Sequence, residues 1–332
     1  MSDERPILPI PPVKLLHRFR AFLRSAGLSW RTEQSYVFWV KELIKFHNFT
    51  HPNKMQKKHC EVFLSAQVLV KNNHYSTQRQ AASSFRCFFN KFLQQPLGKL
   101  THAKSTKPSK LKQPLSLREI DLLLSACTTD AHLPISFFIA TGVRLQELLD
   151  MRICDIDFDL REIWVRHGKG GKSRVLPLPL CLYRPLQLQY EKVLSQHNFD
   201  VENGQGYVAI PKWLARNRKT VEREFRYQYL FPAHGLKAVY NNGRLYREAM
   251  PRRTLQSCIS RAIKQSGITK DISCHNFRHT FASHLCAQGC NIREIQTLLG
   301  HDSVATTQRY LHRLDVDLST IVSPVDVLCV DR

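Results

Sequence analysis

The stretch GVRLQELL, residues 142–149, predicts a helix that begins beside one charged side chain. Gly142 marks the turn, and the leucines at 145, 148 and 149 recur at helical spacing as an apolar stripe. Arg144 therefore stands at the start of an anchored helix, where its planar guanidinium can face a phosphate. A surface or ion-paired arginine remains the default interpretation of this segment alone.

A second segment, HNFRH at residues 275–279, opens another predicted helix. His275 and Arg278 are three residues apart and share a helix face, which pairs a proton-transfer group with a phosphate-binding fork. His275 and His279 also have the spacing of half a zinc site. A zinc protease would need a glutamate where Asn276 stands, so the segment does not predict a metal.

A third segment, LLGH at residues 298–301, ends a helix at a glycine. Gly300 suits the left-handed residue that follows many helices, which places His301 on a loop. Tyr310 follows nine residues later, within a helical pattern. By itself Tyr310 is a packing tyrosine.

The string GKGGKS, residues 168–173, lies between two short β patterns. It resembles the end of a phosphate-binding P-loop, but that loop needs a glycine where Arg166 stands and a helix after it. A β-hairpin whose turn carries Lys169 and Lys172 fits better. An ordinary glycine turn is the alternative.

In their order along the chain, these segments resemble the catalytic constellation of the tyrosine recombinase (phage integrase) family, and the resemblance covers residues 13–325. That constellation is an arginine, a lysine, His-x-x-Arg, a histidine or tryptophan, and a tyrosine. The positions that match it are Arg144, Lys172, His275, Arg278, His301 and Tyr310. The resemblance implies a site-specific DNA recombinase, that is, a DNA strand transferase.

The resemblance also implies how bonds and protons move. Tyr310 attacks a DNA phosphodiester, a 3′-phosphotyrosine forms and a 5′-hydroxyl leaves. Because an unperturbed tyrosine has a pKa of about 10, a base helps, and His275 is the candidate. Lys172 protonates the leaving 5′-oxygen.

The remaining members bind the phosphate. Arg144 and Arg278 hold the non-bridging oxygens and stabilise the extra negative charge of the transition state, and His301 donates a hydrogen bond to one of them. Glu147 supports the site without reacting. No cofactor and no catalytic metal are implied, because arginine, lysine and histidine can supply the charge balance.

The predicted fold is mainly α with a small antiparallel β-sheet. The resemblance implies a two-domain C-shaped clamp, with a helical N-terminal core-binding domain and an α+β catalytic domain of tyrosine recombinase type. The boundaries that we predict are a tail at 1–12, the helical DNA-binding domain at 13–95, a basic linker at 96–114, the catalytic domain at 115–325 and a tail at 326–332.

Charge is concentrated in the first domain. The chain carries a net charge of +22, and residues 1–113 hold 20 Lys/Arg against 5 Asp/Glu. Such a surface favours a polyanion, and nucleic acid in particular. Apolar residues at helical spacing, Val62, Phe63, Val68 and Leu69 among them, predict a core beneath it.

The segment 96–114 has five lysines, three prolines and no acidic residue. An extended basic segment can follow a phosphate backbone, and Lys107, Lys110 and Lys112 are the predicted contacts. A solvated tether without contacts is the alternative.

Within the catalytic domain, residues 200–235 resemble the extra segment of integron integrases, which most phage and Xer-type enzymes lack. The matching strings are VAIPKWLA at 208–215 and EFRYQYLFP at 224–232. Arg247-Glu248-Ala249 departs from that family, which has a histidine pair after the arginine.

Integron integrases join a cassette site, folded from one strand into a hairpin with bulged bases, to a double-stranded platform site. Aromatic faces suit such bases, and the candidates are Trp213, Tyr227 and Tyr229, with core packing as the alternative for each.

The partners implied are DNA and further copies of the chain: a homotetramer on DNA, monomeric when free, with no membrane. A C-terminal segment would pack into a neighbouring protomer through apolar residues such as Val325 and Leu328, and a self-packed or frayed tail is the alternative. We expect a cytoplasmic, nucleoid-associated bacterial protein. The other classes considered are a phage-type integrase or Xer-type resolvase, a type IB topoisomerase and a non-catalytic DNA-binding regulator.

Overall fold

The computed structural model describes residues 8, 9, 11, 13–105, 113–166, 173–210, 221–238, 243–300 and 322–330. Lys172, His301 and Tyr310 lie outside these residues, as do Lys107, Lys110, Lys112 and Trp213. The chain forms two compact units, Met1–Lys110 and Leu111–Arg332. Neither unit has, among its described residues, a helix long and apolar enough to cross a membrane.

The first unit is a small helical bundle. Its elements are α1 (Leu15–Ser25), α2 (Trp30–Phe46), α3 (Lys57–Leu69), α4 (Tyr75–Phe85) and a π-helical continuation of α4 (Arg86–Phe92). Aromatic rings fill its core, where Phe19 and Phe88 meet edge to face with centroids 4.8 Å apart. Such pairs add to the burial of apolar area, which is the main force that holds a small bundle together.

The predicted core of this unit is partly wrong on α3. Phe63 is buried, but Val62 and Leu69 are 46% and 74% exposed. A helix at the surface of a bundle buries only one face, which in α3 packs against α2 and α4. Val62 and Leu69 lie outside that face. Arg20 and Arg24 both bind the fully buried carboxylate of Glu33.

The predicted linker begins later than residue 96. Leu97 and Leu100 are buried in the core of the first unit. The Gln78 side-chain amide donates to the carbonyl oxygen of Ala103 at 2.6 Å. The two leucines extend the apolar core of the bundle, so the chain is packed here, where the prolines and lysines predict an extended linker.

The second unit combines helices with two small sheets. Its helices are α5 (Leu117–Ser125), α6 (Thr129–Thr141), α7 (Leu145–Asp150), α8 (Leu180–Glu202), α9 (Arg252–Ser266), α10 (Cys274–Ala287), α11 (Ile292–Leu299) and α12 (Pro324–Val330). Its strands are β1 (Ile156–Asp157), β2 (Glu162–Val165), β3 (Arg174–Pro177), β4 (Pro232–Ala238) and β5 (Leu245–Ala249). The prediction of a mainly α fold with antiparallel β-structure is confirmed.

The sheets are hairpins built onto the helical core. In the three-stranded sheet, β2 lies between β1 and β3, and Val165 pairs with Arg174 at the end of the β2–β3 ladder that adjoins residues 166–173. Strands β4 and β5 form a separate two-stranded sheet. The β2–β3 pairing agrees with the hairpin predicted around the glycine-rich string.

Local signals in the sequence account for several helix ends. The Ser116 hydroxyl accepts from the Glu119 amide at 3.3 Å, and the Glu119 carboxylate accepts from the Ser116 amide at 2.8 Å. This reciprocal cap satisfies two amides that a helix start leaves unbonded. Helix α11 ends at Gly300 with φ of 61°, as the sequence predicts.

The C-terminal segment packs on its own chain. Helix α12 lies against α5, α6 and α8. Val325 is 5% exposed within the main core, and the Asp326 carboxylate accepts from the Cys181 amide at 2.8 Å. Residues from 326, predicted as a tail, are therefore helical here, and the self-packed alternative describes this chain.

Candidate active site

Arg144 occupies the N-cap of α7, directly after the turn at Gly142. Its backbone amide and its Nη1 donate to the two carboxylate oxygens of Glu147, at 2.8 and 2.6 Å. Its Nη2 donates to the carbonyl oxygen of Gly300 at 2.9 Å. The side chain is 28% exposed, so it is fixed in direction but still open to a ligand.

Arg278 reaches the same place from α10. It is 3% exposed, its Nη1 donates to the Gly142 carbonyl at 3.0 Å, and its Nη2 donates to the Leu299 carbonyl. The two predicted phosphate-binding arginines thus hold the carbonyls of consecutive residues, Leu299 and Gly300. The structure brings them together across 134 positions of sequence.

A third arginine completes this group, and the sequence analysis missed it. Arg174 donates from Nε to the Leu298 carbonyl at 2.6 Å. Its Nη1 and Nη2 donate to Glu147 at 3.1 and 2.7 Å. The sequence shows only that Arg174 stands at the start of a β pattern. That position does not predict an ion pair with Glu147, 27 residues earlier.

Glu147 is the acceptor that organises the cluster. Burial opposes its ionisation, but hydrogen bonds and charge from Arg174, joined by hydrogen bonds from Arg144, outweigh burial and lower its pKa to about 2. Three guanidiniums against one carboxylate leave the cluster positively charged, as a phosphate-binding site requires.

His275 lies at the start of α10, one helical turn before Arg278, and is exposed. Its ring meets that of His279 edge to face, with centroids 4.9 Å apart. Asn276 has a structural role, because its Oδ1 accepts from the Ser273 amide and hydroxyl at 3.0 and 2.8 Å. Among the described residues, no cluster of acidic, histidine or cysteine side chains could hold a metal ion.

The base of the predicted insert is fixed by Arg152. Its guanidinium donates to the carbonyls of Tyr227 and Ala209, at 2.5 and 2.8 Å. It also lies over the ring of Tyr229, 4.5 Å from the centroid, and Tyr229 is 6% exposed. For Tyr229 the packing alternative describes the structure, whereas the ring of Tyr227 is half-buried and lies under the Arg226 guanidinium, at 4.7 Å.

Arg247, in the segment that departs from the integron pattern, points inward. It is 5% exposed and donates to both carboxylate oxygens of Asp200, at 2.5 and 2.7 Å. Glu248 instead lies at the surface of the β4–β5 sheet, 3.3 Å from Lys237. The arginine therefore joins β5 to the end of α8.

Family models cover most of the chain. The phage integrase family model matches residues 113–316, and the N-terminal SAM-like domain model of phage integrases matches residues 15–99. The chain belongs to the phage integrase family. It is a tyrosine site-specific recombinase, as the order of its motifs predicts.

Curated relatives span nearly the whole recombinase. An integrase/recombinase of Escherichia coli is 35% identical over 324 residues, which cover 97% of this chain and 96% of that protein. A tyrosine recombinase of Thermosipho africanus is 26% identical over 321 residues, covering 91% and 96% of the two chains.

Solved structures share its fold. A lambda integrase dimer bound to a COC′ core site matches with a TM-score of 0.62 and 16% identity, over 91% of this chain and 79% of that one. The Tn1549 transposon integrase in complex with transposon right end DNA matches with a TM-score of 0.60 and 16% identity, over 92% and 96%. The recombinase thus has the fold of this family.

Proposed function

We propose that this recombinase cleaves and rejoins DNA through a 3′-phosphotyrosine at Tyr310. The observation that carries the proposal is the convergence of Arg144 and Arg278 on the carbonyls of Gly300 and Leu299, at 2.9 Å for the first pair. Those carbonyls directly precede His301, and Tyr310 follows nine residues later. Two guanidiniums beside a segment that carries a histidine and a tyrosine suit an in-line attack on a phosphodiester.

In the proposed reaction, the Tyr310 oxygen forms a bond to phosphorus as the bond to the 5′-oxygen breaks. His275 takes the tyrosine proton, and Lys172 gives a proton to the leaving oxygen. Arg144 and Arg278 bind the non-bridging oxygens, His301 donates to one of them, and Glu147 holds Arg144 in place. One phosphate ester replaces another, so no cofactor is consumed.

The experiment is a suicide site, a duplex nicked just beyond the scissile phosphate so that the cleaved end diffuses away. We expect a covalent protein–DNA adduct that survives denaturant with the wild type and is absent with Tyr310→Phe. The matched control is Tyr246→Phe, a buried tyrosine outside the cluster. An adduct that persists in Tyr310→Phe would identify another nucleophile, and a non-catalytic regulator would form none.

We further propose that the enzyme is an integron integrase, which inserts and excises gene cassettes as a homotetramer on DNA. The strings at 208–215 and 224–232 support this assignment. So does a basic, aromatic surface beside them: Arg223 and Arg244 lie over the ring of Tyr207, 5.2 and 4.7 Å from its centroid. Residues 211–220 add four Lys/Arg and no acid.

A strand-resolved binding assay tests this assignment. We expect the folded bottom strand of a cassette site to bind more tightly than its folded top strand and than an unrelated hairpin of equal length. Equal affinity for all three would favour the alternative, a phage-type integrase or Xer-type resolvase that acts on duplex sites. Relaxation of supercoils without joining of two sites would indicate topoisomerase-like behaviour.

A further inference from the structure

Three successive carbonyls at the end of α11 are each bound by a different arginine. Arg174 binds the carbonyl of Leu298, Arg278 that of Leu299 and Arg144 that of Gly300. A helix leaves its last carbonyls without partners inside the helix, and they carry partial negative charge. The three arginines therefore fix the helix end that leads into residue 301.

All three nitrogens of the Arg174 guanidinium bond to the protein frame. It is 7% exposed, one nitrogen holds α11 and the other two hold Glu147 on α7. A planar fork bound on both edges cannot rotate freely. A Cβ added at Gly300 would lie 3.2 Å from the Cδ of Arg174, so the end of α11 packs closely against the Arg174 side chain.

Arg174 is also the first residue of β3, opposite Val165 at the end of the β2–β3 ladder. In the sequence, residues 166–173 connect these two strands, and Lys169 and Lys172 are among them. The side chain of Arg174 thus anchors the start of β3, which follows the predicted lysine-bearing turn, to the helix of Arg144 and to the end of α11.

We propose that Arg174 is a positioning residue that aligns the lysine-bearing turn with the phosphate held by Arg144 and Arg278. This rests on the proposed function, in which a lysine of that turn protonates the leaving 5′-oxygen. Proton transfer depends steeply on distance, and a displacement of about 1 Å can cost about 10²-fold in rate. Loss of Arg174 should therefore act mainly on leaving-group protonation.

A substrate with sulfur in place of the bridging 5′-oxygen separates this role from others. When Tyr310 attacks it, the new O–P bond forms, the P–S bond breaks and the sulfur leaves as a thiolate with the electron pair. A thiol has a pKa of about 8.5, far below that of an alcohol, so no proton has to be delivered. A defect in the acid or in its placement should disappear on this substrate.

The test compares adduct formation on oxygen and sulfur suicide sites by the full-length enzyme. For Arg174→Ala we expect cleavage of the oxygen site to slow by about 10²-fold and cleavage of the sulfur site by less than about 3-fold. Arg174→Lys, which keeps the charge but loses the fork, should show the same selective defect. If Arg174→Ala does not fold, the cleavage rates of Arg174→Lys on the two substrates still test the proposal.

Two control variants define the limits of the comparison, one slowed on both substrates and one slowed on the oxygen substrate alone. Arg278→Ala removes a phosphate ligand and should slow both substrates alike, whereas Lys172→Ala should be rescued by sulfur. Lys169→Ala, three residues away in the same turn, shows whether Lys172 or its neighbour is the acid.

Two outcomes overturn the inference separately from the proposed function. If a lysine variant is rescued but Arg174→Ala and Arg174→Lys lose both substrates equally, Arg174 only supports the phosphate clamp. If neither lysine variant is rescued, the turn carries no acid for Arg174 to place. If the wild type forms an adduct with neither substrate, it is the proposed function that fails.

Discussion

Arg278 donates a 3.0 Å hydrogen bond to the carbonyl oxygen of Gly142, which ties α10 to the turn that introduces α7. Gly142 has a φ of 58°, and a Cβ added to it would lie 2.4 Å from Cδ1 of the buried Phe281 ring. The backbone that presents Arg144 therefore favours glycine at this position, because any side chain there would be strained and would clash with Phe281.

Gly142→Ala should destabilise the fold by about 3 kcal/mol, because left-handed strain and overpacking each cost about 1–3 kcal/mol. Urea unfolding measures it. The matched control is Gly267→Ala, where φ is 70° but nothing lies within 4 Å of an added Cβ. The control carries strain alone and should cost about 1 kcal/mol. Equal costs at the two glycines would contradict the predicted clash.

Glu147 should make the fold sensitive to acid. Its pKa falls from an ordinary 4.5 to about 2 in the folded chain, so its ion pairs stabilise the fold fully above pH 4.5 and are lost as the pH falls toward 2. The difference in unfolding free energy between wild type and Glu147→Gln should be about 3 kcal/mol at pH 7 and should narrow by about 2 kcal/mol between pH 5 and pH 3.

Glu248→Gln is the control for that experiment, because Glu248 forms an exposed pair with Lys237. Such pairs contribute about 0–1 kcal/mol, so this variant should follow the wild type across the range. A Glu147→Gln difference that stays constant with pH would show that the carboxylate is not the ionised partner of Arg144 and Arg174.

The two tyrosines at the base of the insert should behave in opposite ways. Tyr229 is buried against Arg152, so Tyr229→Ala leaves a cavity and should cost about 3 kcal/mol of stability. Tyr227→Ala should leave stability within about 1 kcal/mol and weaken binding of a folded cassette strand, since stacking of one base contributes about 1–3 kcal/mol. Unchanged affinity in Tyr227→Ala would remove this ring from the proposed interface.

The surface around Tyr207 should show its role in the salt dependence of DNA binding. Removal of one cation that binds a phosphate reduces the slope of log K against log salt by about 0.9 on duplex DNA. The double variant Arg223→Ala, Arg244→Ala should therefore lower the slope by about 2 on duplex DNA. Lys192→Ala removes a cation of α8 that is not in contact with Tyr207 and is the control. A slope that falls by the same amount for each cation removed would indicate a general charge effect.

Local rules predicted local features well. The cap at Ser116 and Glu119 and the left-handed Gly300 follow from short-range hydrogen bonding and backbone sterics, which a few residues determine. The pairing of Arg144 with Arg278 was predictable only through resemblance to a family. No periodicity indicates that two such distant segments meet.

What the sequence could not predict depends on packing partners. Arg174 is one basic residue before an apolar strand, and only the fold shows that Glu147 lies within reach. Leu69 has the spacing of a core residue yet is exposed, because it lies off the stripe of α3 that packs on α2 and α4. Leu97 follows a proline and precedes a run of lysines, but it fills the end of the aromatic core.

Helix α12 packs on its own chain, and this has a consequence for any exchange of the helix between two copies. Val325 is already buried in the core of its own chain, and the Asp326 carboxylate already accepts from the amide of Cys181. Exchange of that helix between two copies would swap one set of contacts for an identical set, so it would gain almost no free energy by itself. If copies of this recombinase exchange the helix, a shared ligand that raises their local concentration would have to supply the free energy, and dilution without that ligand would separate them.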